Sequence, residues 1–185
     1  MWKPNVIPEN LLQTPRFRVE RLQRKLADGT LKQREIVRHP GSVVIVPLLN
    51  DCRVCLIRNF RMAVDRPLVE LPAGTLEQGE QPADCAAREL IEETGYRAGR
   101  LERLTSFYAA PGILDEHMHL FLATDLTPGP PQREAGEEIE NLIVSWDEAL
   151  AMIEHGEIRD AKTMVGLMFQ QLWPRPLDGL PATKV

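Results

Sequence analysis

Between Gly74 and Tyr96 the chain reads Gly-Thr-Leu-Glu-Gln-Gly-Glu-Gln-Pro-Ala-Asp-Cys-Ala-Ala-Arg-Glu-Leu-Ile-Glu-Glu-Thr-Gly-Tyr. Its acidic residues are spaced for metal chemistry. Pro82 suits the first turn of a helix and Gly95 the position just past its end, so a helix is expected over Pro82 to Thr94. At about 100° per residue, Ala86, Ala87, Leu90 and Ile91 fall on one arc, and Arg88, Glu89, Glu92 and Glu93 on the other. Most such polar faces are simply solvated. Here Glu89 and Glu93 form a like-charged i,i+4 pair, which is unfavourable unless a positive group sits between them. Together with Glu92 they offer hard oxygen ligands suited to a divalent cation such as Mg²⁺. Gly74, Gly79 and Glu80 belong to a preceding loop whose glycines let the backbone bend toward that face.

These positions resemble the signature of the Nudix hydrolases. Gly74, Glu80, Arg88, Glu89, Leu90, Glu92, Glu93 and Gly95 all match it, and Tyr96 departs from it by being aromatic where an aliphatic residue is usual. The resemblance implies two or three Mg²⁺ or Mn²⁺ ions held mainly by Glu89 and Glu93, with Glu92 and the Ala73 carbonyl as further ligands. Such ions neutralise a bridging pyrophosphate and activate water for attack at phosphorus. Arg88 would orient the glutamates, Glu80 would either do the same or simply sit exposed in the loop, and Gly74 and Gly95 would be structural.

Outside this stretch the chain is similar to the ADP-ribose pyrophosphatase group. Pro111, fifteen residues after Tyr96, lies in an Ala-Pro-Gly loop, and Ile57-Arg-Asn-Phe-Arg61 is similar to a strand that places Arg61 on substrate phosphates. Leu71-Pro-Ala-Gly74 and Gly156–Ala161 have similar counterparts. The resemblance also implies a loop glutamate as base or further metal ligand. Glu137 is the first choice, with Glu134 and Glu138 as alternatives, and Glu116 is a candidate near the substrate. Arg34, Glu35 and Arg38 occupy positions comparable to N-terminal strands that exchange across a homodimer and contact substrate. The implied reaction is hydrolysis of ADP-ribose, or a close ADP-sugar, to AMP and a sugar phosphate. Rival substrates are other nucleoside diphosphate sugars, FAD, NADH and dinucleoside polyphosphates. A non-hydrolytic nucleotide sensor is the competing class, disfavoured because every metal-binding glutamate of the signature is present.

Several elements must position these residues. Phe17–Leu26 and Leu31–Arg38 alternate around Asp28-Gly29 and predict a hairpin, preceded by an irregular, proline-rich residues 1–15. Pro40-Gly41 separates this arm (1–40) from a main domain (41–174), and 175–185 reads as a tail. Strands are expected at Ser42–Leu49, returning antiparallel through Cys52–Phe60, then at Leu68–Leu71, Leu101–Ala109, His117–Leu126 and Ile139–Trp146. Residues 127–136 read as a flexible loop, and helices are expected at Ser145–His155 and Asp160–Trp173. The order implies an α/β layered domain with a mixed sheet, in agreement with the α/β/α sandwich of the Nudix resemblance, plus an N-terminal antiparallel hairpin arm.

Composition narrows the partners. The net charge of −5 divides unevenly: residues 1–40 hold nine Lys and Arg against four Asp and Glu, the remainder thirteen against twenty-three. The arm's cations alternate with apolar residues and lack stacking aromatics, which argues against nucleic acid and for a basic arm lying over an acidic site or a phosphorylated substrate. No apolar run approaches a membrane span, and no signal sequence opens the chain, so a cytoplasmic location is expected. Cys52 and Cys55 form a lone C-x-x-C in a strand-like run, where core packing is favoured over zinc.

Overall fold

Three antiparallel strands open the chain in the computed structural model, which describes residues 6–133, 136 and 138–174. They are β1 (Val6–Gln13), β2 (Arg18–Lys25) and β3 (Leu31–Arg38), in that order across one sheet. At the β2–β3 turn Gly29 has φ 87°, and the Asp28 carboxylate accepts a hydrogen bond from the Thr30 N–H. β1 corrects the expectation of an irregular lead-in. Its Pro8 sits on a strand paired on one side only, where a proline is tolerated in a sheet. The expected tail, 175–185, lies outside the described residues.

The elements that follow are β4 (Ser42–Pro47), β5 (Arg53–Arg61), β6 (Arg66–Glu70), β7 (Ala73–Thr75) and α1 (Pro82–Glu89), which runs on into a π-helical turn, Leu90–Thr94. After them come β8 (Arg97–Tyr108), β9 (His117–Thr127), β10 (Ile139–Ser145), α2 (Trp146–Glu154) and α3 (Ala161–Leu172). Ser145 and Glu148 cap α2 reciprocally, and the Asp160 carboxylate caps α3 by accepting from the Thr163 N–H.

β4 lies at the centre of a four-stranded sheet, β7-β4-β9-β8, and its pairing with β9 is parallel while the others are antiparallel. The sequence Val-Val-Ile-Val is therefore buried on both faces, which is why it shows no polar alternation. Val43 and Ile45 face α1, where they pack with Cys85, Ala86, Leu90, Phe121 and Ala123. Val44 and Val46 face the larger core, formed with the second sheet, β10-β5-β6, and with α2 and α3. The layers make a mixed sheet covered by helices, an α/β fold with an antiparallel N-terminal hairpin.

The hairpin expected from β4 to β5 does not form. The two strands belong to different sheets, and an isolated bridge, Leu48↔Val54, links the residue just after β4 to β5. Both edges of β4 are taken by β7 and β9, so the chain must cross to the other layer. Cys52 sits exposed in that crossing with φ 64°, outside the strand in which it was expected, whereas Cys55 is buried in β5 and its thiol is pushed up to about 12 by that burial. Within the segment expected to be a flexible loop, Gln132 and Arg133 are tied down by hydrogen bonds to the π-helical turn.

Candidate active site

β7 and α1 meet at right places for the acidic residues because Gly74 has no side chain. A Cβ there would lie 1.8 Å from the carboxylate carbon of Glu89, so the glutamate rests directly on the glycine backbone. One residue earlier, the Ala73 N–H donates to Glu93 Oε2 at 2.9 Å. Two carboxylates of the helix thus converge on Ala73–Gly74.

Arg88 organises the others. Its guanidinium donates through Nε and Nη2 to both oxygens of Glu80, each at 2.9 Å, and through Nη1 to Glu89 at 2.8 Å and Glu92 at 2.9 Å. Hydrogen bonding to Arg88 holds the Glu80 carboxyl at about 2, below its ordinary 4.5, and raises the guanidinium's own pKa. The negative charge of the cluster is therefore offset in part from within the same stretch.

The two-arc picture of the helix needs one correction. Glu93 is only 4 % exposed, and Ala87, expected on the apolar arc, is exposed. On a regular helix Glu93 lies about 20° from Ala86, so it belongs at the margin of the buried arc. The π-helical turn that carries it was not legible in the sequence.

Beside Ala73–Thr75 opens a cavity of about 310 Å³ whose walls include Arg61, Lys162, Asp160, Ser42 and Glu116. Arg61 donates to Glu70 through Nε at 2.8 Å and Nη2 at 2.6 Å. Glu70 is 1 % exposed and also accepts from Lys162, which pairs with Asp160 at 2.9 Å. Burial pushes the Glu70 carboxyl up, but Arg61 and Lys162 outweigh it and hold the group below its ordinary value. Across the cavity, Ser42 Oγ donates to Glu116 at 2.8 Å. Lys162, Asp160, Glu70 and Ser42 were missed as site residues; the only hint was that Asp160 and Lys162 flank Ala161, the end of a stretch singled out by resemblance.

Other candidates lie elsewhere. Pro111 is exposed and outside the cavity lining. The arm residues do not reach the cavity within one chain: Glu35 accepts from Arg21 at 2.9 Å, Arg34 donates to the Gln33 carbonyl, and Arg38 bridges Glu20 and Asp115 at 2.8 Å each. The arm's charge is thus partly spent on its own carboxylates instead of lying over the acidic helix. Glu138 is exposed, and Glu134 and Glu137 lie outside the described residues.

The donor set suits a divalent cation: carboxylate oxygens and main chain meet at one place, with no soft ligand among them. Among the described residues no three acidic, histidine or cysteine side chains yet converge as a ligand group. Arg88 and the Ala73 N–H occupy oxygens for which an ion would have to compete.

The NUDIX domain family model matches residues 38–165 of the chain. The chain belongs to the Nudix family. This Nudix hydrolase is 41 % identical over 150 residues to the ADP-ribose pyrophosphatase of Bacillus subtilis, covering 80 % of this chain and 81 % of that protein. It is 38 % identical over 163 residues to the GDP-mannose pyrophosphatase of Cronobacter sakazakii, covering 78 % and 84 %. A solved structure described as an ADP compounds hydrolase superposes with a TM-score of 0.81 at 23 % identity, covering 94 % of this chain and 95 % of that one, and shares its fold. Nudix hydrolases use divalent metals, which agrees with the donor chemistry at Ala73–Gly74. No helix among the described residues is long and apolar enough to cross a membrane.

Proposed function

We propose that this Nudix hydrolase cleaves the pyrophosphate of ADP-ribose, or of a close ADP-sugar, to AMP and a sugar phosphate. One observation carries the reading: the Glu89 and Glu93 carboxylates meet at Ala73–Gly74, on the rim of a cavity whose wall presents Arg61 and Lys162. Glu89, Glu92, Glu93 and the Ala73 carbonyl would hold two or three Mg²⁺ or Mn²⁺ ions. When bound, these supply charge neutralisation of the diphosphate and a lowered pKa for the attacking water.

The chain's own residues do the rest. Arg61, fixed by Glu70, binds a phosphate oxygen, and Glu116, oriented by Ser42, accepts from a substrate hydroxyl. Glu137 takes the proton of the attacking water; Glu134 and Glu138 are the alternatives on the same loop. Arg88 and Glu80 keep the helix carboxylates oriented.

The reading includes a homodimer built through the arm, through which Arg34, Glu35 and Arg38, set away from their own cavity, would reach the site of a second copy. Leu12, Phe17 and Leu31 of the arm are exposed in the single chain. We propose a cytoplasmic location, with which the free thiols of Cys55 and Cys85 are compatible.

The GDP-mannose pyrophosphatase relative favours one second reading, a nucleoside diphosphate sugar with another base. The test is a panel of diphosphates (ADP-ribose, GDP-mannose, FAD, NADH and dinucleoside polyphosphates), run with Mg²⁺ and with Mn²⁺ and with products identified. AMP and ribose 5-phosphate as the fastest products support the proposal. Preference for GDP-mannose selects the second reading, and tight ADP-ribose binding without AMP would make the protein a sensor.

A further inference from the structure

The turn that carries Glu92 and Glu93, Leu90–Thr94, is π-helical. Such turns are uncommon, and the carbonyls at a helix end need partners from outside it. Here three successive carbonyls are taken by one neighbouring segment and one strand. The Gln132 N–H donates to Glu92 O at 3.0 Å, Arg133 Nε to Glu93 O at 3.1 Å, and Asn141 Nδ2 to Thr94 O at 2.8 Å. Arg133 Nη2 also donates to Asn141 Oδ1 at 3.0 Å, so the two side chains brace each other. Gly95, at φ 82°, completes the seat. A Cβ there would fall 2.2 Å from the Gly129 carbonyl oxygen and 2.9 Å from the Pro131 nitrogen.

We propose that residues 129–133 and Asn141 form a clamp that holds the π-helical turn in register, and that Arg133 is a positioning residue for the Glu92 and Glu93 carboxylates. The contacts are made to the main chain of the two residues themselves, so they set where each side chain starts. A π-helical turn that relaxed to α-helix would re-aim each residue beyond the change by a fraction of a turn. Glu93 would then leave the Ala73 N–H, and its carboxylate would no longer converge with that of Glu89. The proposal rests on the reading of these glutamates as metal ligands.

Arg133→Ala and Asn141→Ala test it, with Arg159→Ala as control, since Arg159 donates to the Gly156 carbonyl away from this turn. In the metal-free protein, hydrogen–deuterium exchange of amides 90–96 is expected to quicken in both variants and not in the control. Mn²⁺ affinity, read by electron paramagnetic resonance, should fall about tenfold, the lower end of what loss of an outer-shell partner costs. Turnover should fall with it while KM for ADP-ribose stays within about twofold. Unchanged exchange would overturn the clamp. Quickened exchange with wild-type Mn²⁺ affinity and turnover would overturn the positioning role, as would losses matched by general unfolding. Glu93→Gln separates the two ideas: if it binds Mn²⁺ normally the metal-ligand reading fails, while the exchange data still judge the clamp.

Discussion

Glu93 is buried, yet its carboxylate receives a hydrogen bond from the neighbouring strand at Ala73. Glu93→Gln keeps the shape and can still accept from that N–H, so the fold should survive while charge is lost. We expect turnover to drop by about two orders of magnitude or more, with the circular dichroism spectrum unchanged; near-normal activity would remove the helix from the mechanism. Glu80 offers a test that needs no substrate. Arg88 depresses its carboxyl from 4.5 to about 2, so the stabilisation is complete above about 4.5 and is lost as pH falls through about 2. Urea unfolding across that window should show a steeper loss for the wild type than for Glu80→Gln. Parallel curves would mean that the pair contributes nothing to folding.

At the scale of elements, the cavity wall depends on a carboxylate that never meets solvent. Glu70 at the end of β6 anchors Arg61 from β5 and Lys162 from α3. Removing one partner of a fully buried ion pair costs about 3–5 kcal/mol, and less here, because the Arg61 side chain is 40 % exposed. Glu70→Gln should therefore lower the melting temperature, and it should raise KM for ADP-ribose more than it lowers kcat, because the two cations lose their aim. A variant with wild-type KM would show that Arg61 does not depend on this anchor. The helices, most strands and the acidic helix apart from the burial of Glu93 were legible in the sequence, because they rest on local periodicity and on Pro82, Gly95 and Ser145 at their ends. β1 was not, since Pro8 argues against a strand until one knows that it lies on an edge. The β4–β5 crossing and the Glu70–Lys162 pair were also hidden, as both depend on contacts between residues far apart in the chain.

At the scale of the molecule, the arm is the part that a single chain leaves unexplained. Its Arg34, Glu35 and Arg38 pair within or beside their own sheet and stand apart from the cavity. If a second copy completes the site, sedimentation should give a dimer, and removing residues 1–40 should yield a monomer with KM raised tenfold or more; a wild-type monomer of full activity would exclude it. The guanidinium of Arg88 has a consequence for how the whole fold tolerates life without its ion. Its one positive charge bridges Glu80, Glu89 and Glu92, so part of their mutual repulsion is offset by hydrogen bonds from within the protein itself. Chelation with EDTA should abolish hydrolysis yet shift the melting temperature by no more than about 2 °C, unlike domains whose folding is driven by their metal. The protein can thus be stripped and reloaded, with Arg88 holding Glu89 and Glu92 in place between one ion and the next.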